Sequence, residues 1–179
     1  YEIYLRDGRH GDTLWEHLMA VGGPLGLKPG HTSSIRRIEG GMLSYHADMD
    51  SHTNPYELGL GRLVDLNMDA DFIGKAALGE IKQQGVRRQQ VGIEIDGPEL
   101  ESPNTRHWEI SIGSKKIGYV TSAIYSPRLK RNIALAMVDS DFSAEGTSAV
   151  VDMPSGQFSI MVVPKPFYDP KKGIAGAVL

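Results

Sequence analysis

The chain has 179 residues, with 19 Lys plus Arg against 22 Asp plus Glu, 40% hydrophobic residues, 23% charged residues and no cysteine. This is an ordinary globular composition, large enough to bury a core in one domain or two small ones, and it excludes a disordered or fibrous chain. The net charge of −3 argues against a dedicated nucleic-acid binder, no apolar run approaches the ~20 residues of a membrane helix, and without cysteine there is no disulfide framework, thiolate metal site or Cys nucleophile.

Tyr1-Glu2-Ile3-Tyr4-Leu5 alternates in the manner of a strand and ends at the Asp7-Gly8 turn. A strand at the first residue, without Met, predicts that further chain precedes it. Nothing resembles a secretory signal, so the expected location is cytoplasmic. Asp12 and Thr13 are candidate caps for a helix with Leu14, Leu18 and Val21 on its apolar face, stopped by Gly22-Gly23-Pro24. Residues 25–34 read as loop, and 35–45 fit helix or strand equally because Gly40-Gly41 interrupts them. The polar stretch 46–55 predicts a long surface loop. Asp71 predicts the cap of a second helix reaching Gln84, with Ile73, Ala77, Leu78 and Ile81 as its stripe and Gly85 as its stop.

From Val86 the period changes. Val91, Ile93 and Ile95 alternate with polar neighbours, as do Trp108, Ile110 and Ile112, and Gly113-Ser114 predicts a two-residue hairpin. Further strands are expected at 117–122, 133–138, 148–151 and 157–163. Six short strands without intervening helices predict a small antiparallel barrel or sandwich. The expected fold class is therefore α+β. A mixed first half (1–85) precedes an antiparallel β domain, barrel or sandwich (86–167), and a loosely packed tail (168–179).

The six histidines lack the close pairing of a metal site. His46, Asp48, Asp50 and His52 crowd one loop, but it lacks the central glycine and closing glutamate of a calcium loop, and solvation accounts for its polarity. No metal is expected. Gly59-Leu60-Gly61 lacks the third glycine of a dinucleotide fingerprint, and no Walker loop or nucleophile elbow is present. Two features rise above this background. Glu2 and Tyr4 share a strand face, where a carboxylate could accept two hydrogen bonds from a planar donor pair, although a solvent-facing strand edge accounts for them as well. Residues 121–132 form a polar, basic connection that could hold an anionic tail or be an ordinary exposed loop.

At these same places the chain resembles the glycine-cleavage T-protein family of tetrahydrofolate-dependent aminomethyltransferases. The resemblance is carried in order by Tyr1–Leu5, Arg37-Ile38-Glu39-Gly40-Gly41-Met42, Asp48-Met49-Asp50, Asp71-Phe72-Ile73-Gly74-Lys75, Gly118-Tyr119-Val120-Thr121-Ser122 and Asn132-Ile133-Ala134-Leu135-Ala136. The family pattern Arg-Asp-x-Leu-Arg-Leu-Glu is altered. Ser33 and Ser34 stand where its leading Arg-Asp falls, while Arg37 and Glu39 keep the later Arg and Glu. Together with Ser126-Pro127-Arg128-Leu129 and residues 164–170, this is similar to the family's demethylase branch.

The resemblance implies a barrel-like C-terminal domain and tetrahydrofolate as the cofactor. It implies transfer of a methyl group from the sulfonium of dimethylsulfoniopropionate to N5 of that folate. Glu2 matches the family glutamate that binds the pterin, and Tyr4 follows because it shares that strand face. Arg37 is left between a structural role and a hold on the folate carboxylates. Trp108 and Tyr125, with Tyr4, are the aromatic candidates for the sulfonium, although each reads first as a core or barrel residue. The resemblance makes 1–85 the C-terminal part of a T-protein-like folate-binding region, and no catalytic residue is assigned, because the family's N-terminal domain and its catalytic aspartate are expected to lie outside this chain. That missing part and a small-molecule substrate are the expected partners, without nucleic acid or membrane, and the oligomeric state is open, a homodimer included. Two other readings remain: an aminomethyltransferase served by a lipoyl carrier protein, and a non-catalytic folate-binding domain of a larger dehydrogenase.

Overall fold

The computed structural model describes residues 3–30, 33–171 and 173–174. It divides into two compact units, 1–32 and 33–179. In the first, Asp7 is extended and its carboxylate accepts from the Arg9 backbone N–H at 3.0 Å, opening a 3-10 turn over Gly8–His10 that runs into helix α1, Gly11–Gly22. The predicted cap at Asp12 and Thr13 is not formed, since α1 starts at Gly11 behind His10 with no side-chain cap; Asp7 caps the preceding 3-10 turn by accepting from the Arg9 amide. Ile3, Tyr4 and Leu5 carry no strand, and Glu2, with Tyr1, lies outside the described residues. On α1, Trp15, Leu18 and Val21 remain exposed.

The second unit opens on helix α2, Ser34–Glu39, capped by the Ser33 side chain and ended by Gly40-Gly41, with Gly41 at φ +62°. Helix α3 spans Lys75–Gln84. It starts three residues later than a cap at Asp71 predicts, because Gly74 sits at φ +92°, outside the helical region, and Asp71 spends its carboxylate on the Phe72 amide instead.

Six strands follow: β1 Arg88–Asp96, β2 Trp108–Ile112, β3 Lys115–Ser126, β4 Arg131–Asp139, β5 Ser148–Met153 and β6 Gly156–Val163. They close an antiparallel barrel in the order β1-β4-β3-β2-β5-β6. The hairpin at Gly113-Ser114 forms as predicted, with Gly113 at φ +58° and Ile112 paired to Lys115. Residues 121–132 are not one loop. β3 runs to Ser126 and β4 begins at Arg131, leaving a four-residue turn.

Alternation fills the barrel. Val91, Ile93, Ile95, Ile110, Val120 and Val151 point inward, each stabilising by about 1.5–3 kcal/mol. A second cluster lies outside it, where Ile38 of α2 packs on Ile124, Ile133 and Leu135 with Phe167 against them. With both faces covered, β4 reads as one apolar run, Ile133–Val138. The start of the tail is also fixed, since the Tyr168 backbone N–H donates to the Glu39 carbonyl at 3.0 Å and Arg128 stacks over the Tyr168 ring. The segment before the barrel packs on it too. Glu57 accepts from Arg88 Nε at 2.8 Å, and its carbonyl accepts from the Gln90 N–H at 2.7 Å. The change of period near 86 thus marks where the barrel begins, within a compact unit that reaches back to Ser33.

Beyond β6, Lys165 turns inward and donates to Gln90 Oε1. Burial pulls its ammonium down to about 8, against the opposing field of the Asp48 carboxylate. The unfolded chain holds this proton up to about pH 10.4, so between about 8 and 10.4 it binds more protons than the native state. Stability is expected to rise with pH across that window, by at most ~1.4 kcal/mol per unit. Urea midpoints measured through the window should show that rise, and Lys165→Met should flatten it.

Candidate functional site

Asp48 lies in the stretch that predicts a solvated surface loop, yet its side chain is 0% exposed. Oδ2 accepts from Arg37 Nη1 at 2.6 Å and from the Ser44 backbone N–H at 2.9 Å. Oδ1 accepts from Thr121 Oγ1 at 2.6 Å and Ser122 Oγ at 2.7 Å. Consecutive strand residues normally face opposite ways. Here the β3 pairing jumps from Val120↔Ala136 to Ser122↔Leu135, and the extra residue, Thr121, turns with Ser122 toward the same carboxylate. Arg37 completes the network. Its Nη1 also donates to the Met42 carbonyl at 3.1 Å and its Nη2 to Ser122 Oγ at 2.9 Å. Three of its five N–H donors are thus engaged among the described residues, and the side chain keeps 23% exposure.

This network clamps the loop at 41–50 to the barrel wall and forms the floor of a polar depression. One lobe, about 70 Å³, is lined by His46, Asp50, His52, Arg88, His107 and Tyr119. A neighbouring lobe of about 300 Å³ is lined by His46, Asn104, Arg106, His107 and Thr121. His107 stacks on Tyr119 at 4.7 Å between centroids, and its Nε2 lies 3.3 Å from the Ala47 carbonyl. Asn104 pins the bulge, accepting from the Ala123 N–H at 2.7 Å and donating to the Thr121 carbonyl at 3.2 Å. Asp50 accepts from the His52 N–H and the Thr53 hydroxyl, and the first of these leads in holding its carboxyl below the usual range. Among the described residues no three His, Cys, Asp or Glu side chains gather as a metal site, and no helix is long and apolar enough to cross a membrane.

The other predicted site residues are dispersed. Tyr4 is in the first unit, with 84% of its surface exposed. Trp108, 7% exposed, opens β2 opposite Val120 and packs into the barrel core. Its edge reaches a depression of about 420 Å³ shared with Pro103, Arg106 and Met153. Tyr125 stands five residues beyond Val120 on β3, roughly 16 Å along the strand. Its phenol is hydrogen-bonded to Glu99, which raises its pKa. The structure does not bring Trp108 and Tyr125 together. Sequence reasoning missed Asp48, Thr121 and Asn104 as a unit, since only the bulge converts their separate positions into one site.

A closed six-stranded barrel, a short helix clamped to its outer wall and a buried Arg–Asp anchor define the class of protein, and comparison with known proteins identifies it. The glycine cleavage T-protein C-terminal barrel domain model matches residues 88–169, and the GCVT N-terminal domain model matches residues 1–68. The chain belongs to the glycine-cleavage T-protein family. Part of the N-terminal domain is therefore present, which corrects the expectation that this domain lies wholly outside the chain.

An aminomethyltransferase of Bacillus cereus (strain AH187) is 38% identical over 175 residues, covering 96% of this chain and 46% of that protein. The dimethylsulfoniopropionate demethylase DmdA of Ruegeria pomeroyi is 38% identical over 163 residues, covering 90% and 43%. The crystal structure of the glycine cleavage system aminomethyltransferase T from Bartonella henselae superposes with a TM-score of 0.68 at 24% identity, over 76% of this chain and 38% of that one; this likeness speaks for the fold. The chain spans less than half the length of the curated relatives it matches.

Proposed function

We propose that the protein containing this chain moves a methyl group from the sulfonium of dimethylsulfoniopropionate to N5 of tetrahydrofolate. The products are methylmercaptopropionate and 5-methyltetrahydrofolate. The observation that carries the choice of donor is Ser33-Ser34. Ser33 spends its hydroxyl capping α2, where the aminomethyltransferase pattern has an Arg-Asp pair whose arginine lies at the folate site, so its loss supports a changed substrate pocket and counts against glycine cleavage.

The chemistry asks little acid–base work of the protein. The S–CH3 bond breaks as the N5–CH3 bond forms, sulfur keeps the bonding pair and becomes a neutral thioether, and N5 gives up its proton. The protein's task is to hold three atoms in line, which is worth roughly 7–11 kcal/mol. Glu2 and Tyr4 are assigned to the pterin, and the exposed ring of Tyr4 suits a flat partner. Arg37 positions the loop at 41–50 through Asp48 and keeps two N–H donors for an anionic group. Trp108 and Tyr125 stand apart and are therefore alternative aromatic faces for the sulfonium, whose charge favours such a face. The remaining half of the protein is assigned to cover Trp15, Leu18 and Val21, and a cytoplasmic location completes the reading.

The test uses the protein at its full natural length, incubated anaerobically with tetrahydrofolate and dimethylsulfoniopropionate and followed by mass spectrometry. Stoichiometric appearance of both products is expected. Turnover only with an aminomethyl-lipoyl carrier would replace the donor, a second reading supported by the equal 38% identity to the Bacillus aminomethyltransferase. Folate binding without turnover on either donor would leave a binding domain.

A further inference from the structure

A separate cavity of about 230 Å³ lies where β1 meets the chain beyond β6. Leu43, Leu58, Leu60 and Pro166 wall it, and Gln90, Lys165 and Arg62 reach it. Gln90 is 2% exposed. The ammonium of Lys165 donates to its Oε1, which settles the orientation of the amide, since the flipped form would set an NH2 against a cation. Its Nε2 is buried and has no hydrogen-bond partner among the described residues. A buried amide N–H without an acceptor is costly and uncommon. Lys165 carries only donors, and its one engaged partner leaves others for a ligand.

We propose that this cavity is a binding site for a small monocarboxylate with an uncharged apolar body. The head group accepts from Lys165 Nζ, which Gln90 Oε1 holds in place, with Arg62 beside it, and the body lies against Leu43, Leu58 and Leu60. The chemistry of the wall selects this class. Its polar groups are donors, so the ligand supplies acceptors. Two cations face it, so the ligand is an anion. Three leucines occupy the remaining wall, so the rest of the ligand is apolar, which disfavours inorganic phosphate. Carboxylate binding also answers the desolvation of Lys165, whose ammonium burial has drawn down to about 8; a bound anion restores the charged form. Arg37, Trp108 and Tyr125 do not line the cavity, so binding here is separate from the roles proposed for them.

Hexanoate is the probe, titrated into the full-length protein while the Gln90 side-chain amide is followed by NMR. A saturable shift of that amide is expected with hexanoate and not with hexanamide or hexylamine. Acylation of Lys165 by acetic anhydride should fall in parallel as hexanoate occupies the site. Lys165→Met and Gln90→Glu should each weaken hexanoate at least about tenfold, the loss expected for one charge-assisted hydrogen bond. No saturable shift in the unaltered protein would overturn the proposal. So would an equal response to hexanamide, or a response to inorganic phosphate in place of hexanoate. Because the shift and the acylation are read on the unaltered protein, a poorly folding variant does not blunt the test.

Discussion

Replacing Asp48 with alanine is expected to destabilise the protein by about 3–5 kcal/mol, the range for removing one partner of a buried ion pair. The carboxylate has no exposed surface and takes four hydrogen bonds, two of them from hydroxyls on neighbouring strand residues. Its loss strands the Arg37 guanidinium and leaves Ser122 with a donor and no acceptor, while Thr121 keeps the Leu135 carbonyl at 3.0 Å. Asp48→Asn should cost less, because one oxygen remains to accept from Thr121 and Ser122. The urea midpoint reads the difference, and hydrogen exchange should show the loop at 41–50 opening first. A loss below about 1 kcal/mol, the ordinary worth of an exposed pair, would mean that this network does not hold the loop.

Gly118→Ala is the second large effect. A Cβ built at Gly118 would stand 2.2 Å from the Met137 carbonyl oxygen and 2.7 Å from the Val138 Cα. Both are backbone atoms of β4, the neighbouring strand of a closed barrel, so no flexible side chain can yield. Over-packing of this kind costs up to about 3 kcal/mol and sometimes more. Gly79→Ala is the matched control, because in α3 the added methyl meets nothing within 4 Å and should stabilise by about 0.5–1 kcal/mol. Thermal unfolding of the two variants should therefore move in opposite directions. Equal small shifts would show that the barrel yields at β3–β4.

The barrel was legible because its signal is local. Alternation in Val91–Ile95, Trp108–Ile112 and Gln157–Val163 follows from a pleat of period two, and Gly113-Ser114 supplies a turn that needs positive φ. Helix starts were less legible, since a single backbone angle decides them. Gly74 at φ +92° overrules a plausible aspartate cap at Asp71, and the 3-10 turn capped by Asp7 carries the chain into α1 ahead of Asp12. The candidate site was legible only in pieces. Arg37 and the Asp48 loop stood out as separate stretches, and the polar run beginning at Thr121 read as a connection although β3 continues four residues past the expected strand end at Ser122.

The sequence by itself determined the six antiparallel strands, the α+β class and the family, because periodicity, turn chemistry and an ordered set of motifs are written along the chain, and the choice of barrel over sandwich came with the family resemblance. Only the tertiary structure decided which polar residues meet. Arg37, Asp48 and Ser122 come together from positions 11 and 85 residues away from the arginine, and Gln90 and Lys165 from positions 75 apart. Such pairings depend on strand register and on one bulged residue, and a change of one residue in register turns every side chain to the opposite face. A carboxylate in a polar loop is solvated by default; closure of the barrel beneath it excluded water and made Asp48 an anchor.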